Sequence, residues 1–324
     1  MKQVRLFFAS TSLAVCLEIT NSCSQTIKSE NSSVLGVFKA STPCDDMAKT
    51  MLEIPSITKC ELMKWNLTLY QDPKTFTPSD YKLICEYGLP KQGTKDFMEG
   101  AKTIELKGKW TIGKGTNETA GAVVYKLNAD SSSISLSFLK PDQNLIHLLD
   151  QDKRLMIGNG AWSYTLNRVN PLAPSSVKFT RQTSSSPRII TDSATVGIFQ
   201  GRTPCNRVLL GLNGISADGC QIIKCRLTLY QDPKTHLPTT FQLHTVYVGK
   251  GDTRYTNTGK WIVTQGTKND PGAIVYQLEP EPGKLQGHMA FVKADDNILF
   301  FLDKDRNFMV GNGYSSYTLN RIKK

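Results

Sequence analysis

The sequence predicts an all-β protein built from two tandem small antiparallel meander β-barrels, joined by a linker rich in Pro and Ser. Three observations predict this fold: a long internal duplication, the alternation of apolar and polar residues with period two, and turn residues between the apolar runs. No helical pattern of ten residues interrupts the strands. A chain of 324 residues is long enough for two such domains. A flattened sandwich is the alternative architecture.

The duplication defines the domains. The segment Leu-Thr-Leu-Tyr-Gln-Asp-Pro-Lys-Thr occurs at 67–75 and again at 227–235. Other motifs recur in the same order, namely Gly-Lys-Trp at 108–110 and 259–261, and Tyr-Thr-Leu-Asn-Arg at 164–168 and 317–321. We therefore expect one barrel at 34–170, a linker at 171–194 and a second barrel at 195–324. Each copy has a complete set of strand motifs, which favours independent folding.

Within each copy, apolar residues mark the core face of the strands. Trp65, Leu67 and Leu69 alternate with polar residues, and Leu227 and Leu229 repeat the pattern. Seven or eight short strands of this kind, joined mostly by short turns, are typical of a meander that closes on itself as a barrel.

Repeated Asp, Gly and Trp residues receive structural interpretations. Asp72 and Asp232 are predicted to stabilise turns through their own backbone. The Gly-Asn-Gly segments at 158–160 and 311–313 are predicted to adopt left-handed turn conformations. Trp110 and Trp261 are predicted to begin strands and to close the core.

The N-terminus has the form of an export signal. A positively charged start and an apolar stretch at 6–17, too short to span a bilayer, are followed by Ser22 and Cys23. A small residue directly before a cysteine resembles the cleavage site of bacterial lipoproteins. We predict a signal peptide at 1–23, a lipid on Cys23 and a tether at 24–33. Cleavage before Cys16 is a weaker competitor, and plain secretion is the other alternative.

The charge of the chain does not point to nucleic acid. The formal net charge is +11, but Lys and Arg are scattered singly among acidic residues rather than gathered in basic blocks. A solvated basic surface explains this composition, and we expect no nucleic-acid partner.

The motifs together resemble a known family. The chain has a Pro-Cys near the domain start, a Leu-Thr-Leu strand ending in Asp, a Gly-Lys-Trp strand start, a Leu-Asp or Leu-Asp-x-Asp close to the end and a terminal Tyr-Thr-Leu. In these motifs it is similar to the N-terminal domain of the NlpE copper-resistance lipoproteins. The resemblance covers nearly all of both copies. It implies a lipocalin-like barrel on an outer-membrane lipoprotein, linked to copper tolerance and to envelope-stress or adhesion sensing. It implies no enzymatic activity.

The cysteines depart from that family. Members carry Cys-x-x-Cys at the domain start, whereas here Cys44 and Cys205 are followed by Cys60 and Cys220 only after longer loops. Two thiolates two residues apart can hold Cu(I) from one loop, but distant cysteines in an oxidising envelope favour a disulfide. We predict the disulfides Cys44–Cys60 and Cys205–Cys220. Reduced thiolates that bind copper are the alternative.

Other candidate residues have structural interpretations. Cys85 and Cys225 have no cysteine at the equivalent position of the other copy and are predicted to be free. His147 is predicted to pack in the core, because its counterpart is Phe300. No catalytic constellation, metal site or cofactor site is recognisable.

Two functions remain open at this level. The first is a lipid-anchored sensor or interaction module whose partners are the membrane and an unknown protein. The second is a carrier of a small ligand or copper. A barrel interior filled with large apolar side chains favours the first, and an open polar cavity favours the second.

Overall fold

The computed structural model describes residues 32–117, 119–173, 194–205, 210, 213–281 and 289–322. The predicted signal peptide with Cys23, nearly all of the predicted tether and most of the predicted linker lie outside the described residues. Predictions about those segments stay predictions.

The first copy is a closed eight-stranded antiparallel barrel in meander order. Its last strand pairs with its first, with Phe38 opposite Arg168. One short helix follows the first strand, and no helix in the described part of the chain is long and apolar enough to span a membrane. The elements are β1 (Ser33–Pro43), α1 (Asp46–Met51), β2 (Leu62–Gln71), β3 (Pro78–Gly88), β4 (Lys102–Lys114), β5 (Val123–Ala129), β6 (Ser135–Leu139), β7 (Leu145–Leu149) and β8 (Thr165–Arg168).

The second copy repeats this topology. Its last strand closes on its first, with Arg321 opposite Phe199. The predicted fold class, all-β with two small antiparallel barrels, is therefore confirmed. The strands are β9 (Ala194–Thr203), β10 (Ile222–Gln231), β11 (Pro238–Val248), β12 (Thr253–Gln265), β13 (Ile274–Pro280), β14 (Met289–Lys293), β15 (Ile298–Leu302) and β16 (Thr318–Arg321).

Large apolar side chains fill both barrel interiors. Trp65, Leu67 and Leu69 on β2 are buried, as their alternation predicts. Each barrel has its own apolar core: the first includes Phe38, Leu83, Trp110, Leu127, Phe138 and Leu166, and the second includes Phe199, Leu243, Trp261, Leu278, Phe291 and Leu319.

The repeated tryptophans are core residues, but the prediction that they begin strands is wrong. Trp110 lies within β4 and Trp261 within β12. Their indole N–H groups donate to the carbonyl oxygens of Tyr70 (2.6 Å) and Tyr230 (2.7 Å). Each ring therefore buries its apolar surface while its one polar group stays paired.

The repeated aspartates stabilise turns, as predicted. Asp72 Oδ1 accepts hydrogen bonds from the backbone N–H groups of Lys74 (2.8 Å) and Thr75 (2.7 Å). Asp232 makes the same bonds in the second copy. These hydrogen bonds give the repeated Asp a structural role in the Asp-Pro-Lys-Thr turn.

Candidate functional site

A disulfide closes the loop between β1 and β2. Cys44 and Cys60 are bonded, with Cα atoms 5.6 Å apart. The loop contains α1, which begins after Asp45, whose Oδ1 accepts a hydrogen bond from Ala48 N at 2.9 Å. Ala48 and Leu52 are buried in the barrel core. The loop is thus held both by its covalent closure and by apolar packing.

The second barrel has an equivalent disulfide. Cys205 and Cys220 are bonded, with Cα atoms 6.0 Å apart. Leu210 from the loop between them is buried in the second core. Both predicted pairs are therefore present. In this form the four sulfurs are not thiolates, which are the species that bind Cu(I).

The two remaining described cysteines are free and buried. Cys85 and Cys225 lie in separate barrel cores and form no bond with each other. Burial raises the pKa of both thiols, that of Cys225 to about 12. Both are thiols rather than nucleophilic thiolates at neutral pH. In the described part of the chain, no cluster of three or more His, Cys, Asp or Glu side chains is placed to hold a metal ion.

The two barrels meet along a polar seam in which equivalent residues contact each other. Both barrels belong to one compact unit, Ser32–Lys324. The hydroxyl groups of Ser163 and Ser316 lie 2.6 Å apart, and those of Thr165 and Thr318 lie 2.8 Å apart. All four side chains are buried. Each pair joins one position of the repeat to the same position of the other copy.

Two asparagines extend the seam in a reciprocal manner. Asn167 Nδ2 donates to the carbonyl oxygen of Asn312 (3.0 Å), and Asn167 Oδ1 accepts from Gly311 N (2.7 Å). The equivalent Asn320 makes the same two bonds to the first barrel, with Asn159 O at 3.3 Å and Gly158 N at 2.9 Å. The seam consists of these residues: Ser163, Thr165, Asn167, Ser316, Thr318, Asn320 and the two Gly-Asn-Gly segments.

The Gly-Asn-Gly segments correct a prediction. None of their residues has a positive φ, so they are not left-handed turns. Their first glycines are required by close packing instead. A Cβ atom on Gly311 would lie 2.7 Å from Ser316 Cα and 2.9 Å from Asn167 Oδ1. Gly158 is confined in the same way by Ser163 and Asn320.

His147 lies where the two barrels meet. Its ring nitrogens are 2.9 Å from Thr165 Oγ1 and 2.9 Å from the carbonyl oxygen of Met156. Its ring packs edge-on against Phe300, the equivalent residue of the other copy, with centroids 5.7 Å apart. Burial lowers the pKa of His147 to about 4, so the ring is neutral at physiological pH. It is a packing residue, as predicted, and its contact with its own counterpart adds to the seam.

An apolar cluster and a groove border the seam. The cluster joins outer faces of both barrels and consists of Val124, Leu149, Leu155, Val275, Ala290, Val292, Ile298, Phe300 and Leu302. The groove beside it has a volume of about 680 Å³ and is lined by both barrels. Four of its lining residues are basic, namely Lys140, Lys153, Arg154 and Lys293.

These features define a protein of two tandem eight-stranded barrels, each with a disulfide-closed loop. Residues 215–312, in the second barrel, match the family model of the NlpE N-terminal domain. The chain has two barrels consistent with tandem NlpE-like domains, as the resemblance implies. The match supports an envelope-associated barrel protein. No curated protein and no solved structure matches the chain significantly.

Proposed function

We propose that the protein is a lipid-anchored, non-enzymatic module of the outer membrane, whose outer surface senses or binds other molecules. The observation that carries this proposal is the filling of both barrel interiors by their own side chains. Phe138 in the first barrel and Phe291 in the second are fully buried. A lipocalin-type carrier instead keeps its interior open for a ligand. The NlpE match supports an envelope setting.

The lipid anchor is the part of this proposal that can be tested first. Cells that express the chain are labelled with an alkyne analogue of palmitate, and the purified protein is examined for the label. We expect labelling of the wild type and of Cys16→Ser, but not of Cys23→Ser. Equal labelling of Cys23→Ser, or labelling lost only in Cys16→Ser, contradicts an anchor on Cys23.

Native mass spectrometry of the mature protein tests the assignment as an interaction module. We expect the mass of the lipidated chain with two disulfides and no stoichiometric metal or small molecule. A bound copper ion that is lost in Cys44→Ser contradicts the interaction-module hypothesis and supports a copper carrier instead.

A second candidate, a small-ligand carrier, is favoured by the groove between the barrels. Its volume of about 680 Å³ lies in the range of ligand pockets. An organic molecule that co-purifies with the wild type but not with Phe308→Glu, a change in the groove lining, establishes the carrier. Loss of the same molecule in Ile112→Glu, an exposed position on β4, shows that the groove does not hold it.

A further inference from the structure

The seam has the geometry of a two-fold interface. In an isologous interface the same patch is used on both sides, and residues on the axis contact their own equivalents. Ser163 with Ser316 and Thr165 with Thr318 are such pairs.

Residues away from the axis obey the same rule. If residue i of one barrel contacts residue j of the other, the equivalent of j must contact the equivalent of i. The Asn167 side chain contacts Gly311 and Asn312, and the Asn320 side chain contacts Gly158 and Asn159. Four hydrogen bonds therefore form two equivalent sets. Two unrelated surfaces that happened to touch would not produce this reciprocity.

We propose that each barrel carries a self-complementary pairing surface, and that the partner this surface fits is another barrel of the same repeat. The two barrels of this chain form, within one molecule, the same two-fold pair that two separate barrels would form. The seam, and not the linker, holds the barrels together. This inference does not depend on the lipid anchor or on the proposed function.

Differences between the copies make the first barrel a better partner for the second than another second barrel is. Ser41 Oγ donates to the carbonyl oxygen of Gly313 (2.9 Å), and the position equivalent to Ser41 is Arg202. The guanidinium of Arg202 lies over the ring of Trp162, 6.0 Å from its centroid. The Arg202–Trp162 contact exists only in a mixed pair, because Trp162 is replaced by Ser315 in the second copy and Arg202 by Ser41 in the first. A pair of second barrels keeps the serine, threonine and asparagine bonds but loses both the Ser41 bond and the Arg202–Trp162 contact.

Cleavage of the linker in the intact chain tests the proposal. A protease site replaces Ser184–Ser186, and the cut protein is examined by size-exclusion chromatography with light scattering at about 1 µM, which corresponds to the affinity range of a specific interface. We expect the two halves to elute together with the mass of the uncut chain. Separate elution of two folded halves overturns the proposal.

Charge substitutions show whether the seam makes the contact. Thr165→Glu puts an unpaired charge opposite Thr318 and should weaken the affinity between the two halves by about 100-fold. The control Thr111→Glu, on the exposed face of β4, should leave this affinity unchanged. Adding Thr318→Lys to Thr165→Glu should restore co-elution. Co-elution of Thr165→Glu at wild-type affinity overturns the proposal. If Thr165→Glu fails to fold, Asn167→Ala is used, because it removes two bonds of the seam without adding a charge.

Self-pairing is tested with two cut preparations that carry different C-terminal tags. After mixing, capture of one tag should recover second barrels that carry the other, in smaller amount than first barrels. Recovery of first barrels alone shows that the surface is not self-complementary and overturns the proposal.

Discussion

Removal of either disulfide should destabilise the barrel that contains it. The two bonds close loops of nearly equal length, with sequence separations of 16 for Cys44–Cys60 and 15 for Cys205–Cys220. In the chain-entropy model, closure of a loop of this length in the unfolded chain is worth about 3 kcal/mol. We therefore expect the double variants Cys44→Ala/Cys60→Ala and Cys205→Ala/Cys220→Ala each to lose about 3 kcal/mol of unfolding free energy.

The structure gives a reason to expect this entropic value rather than a larger one. The first loop packs Ala48 and Leu52 into the barrel core, and the second packs Leu210. These contacts do not depend on the covalent bond, so they should persist in the variants. The loss then arises mainly from the greater freedom of the unfolded chain.

Urea unfolding of protein labelled with 5-fluorotryptophan measures the loss in each barrel. Of the four tryptophans, Trp65 and Trp110 report on the first barrel and Trp261 on the second, whereas Trp162 lies against Arg202 at the seam. Reduction of the wild type should reproduce the combined loss of unfolding free energy. Reductant should have no effect on a variant in which Cys44, Cys60, Cys205 and Cys220 are all replaced by Ala. A loss below about 1 kcal/mol in either barrel refutes the chain-entropy reasoning.

Three further outcomes follow from buried or closely packed residues. Burial lowers the pKa of His147 to about 4, so protonation below pH 6.5, the pKa in the unfolded chain, favours unfolding. The free energy of unfolding should therefore be unaffected by protonation of His147 above pH 6.5 and should fall by about 3 kcal/mol as the pH decreases to 4. Urea titrations at several pH values should show that His147→Phe removes this dependence. A truncated variant that begins at residue 32 is treated with iodoacetamide at pH 7.5 without reductant, and modified cysteines are counted by mass spectrometry. Neither Cys85 nor Cys225 should be modified in the native protein, but both should be modified after unfolding. Gly311→Ala should cost about 1–3 kcal/mol in urea unfolding because its Cβ has no space, whereas Gly121→Ala, which has no neighbour within 4 Å, should cost little.

Most of the fold could be predicted because the signals are local and occur twice. The alternation on β2 and β10 and the Asp-Pro-Lys-Thr turns reappear in the structure as expected. Strand ends were harder to predict. β4 begins at Lys102, well before Trp110. This start could not be predicted, because the first residues of the strand are largely exposed and polar. The helix α1 has six residues, which is too short for a periodic pattern to predict it.

The disulfides could be predicted because both ends of each loop recur, whereas the seam could not be predicted from its polar residues. Thr165 and Asn167 alternate with Leu166, which predicts an outer face in contact with solvent. A second signal was present in the neighbouring strands. β7 (Leu145–Leu149) and β15 (Ile298–Leu302) are nearly continuous apolar runs, a pattern typical of strands covered on both faces, and every position of both is buried. The second cover of each strand is the other barrel.

The chemistry of the seam explains why it is built from Ser, Thr and Asn. A residue on a two-fold axis must bind its own equivalent, so its side chain must both donate and accept hydrogen bonds. A hydroxyl can do both. Away from the axis, the Asn167 amide also does both, since it donates to Asn312 O and accepts from Gly311 N. Lysine only donates and an ionised carboxylate only accepts, so neither can pair with itself without a buried repulsion. A surface made of self-complementary groups can pair with a second copy of itself, and this chain joins two such copies.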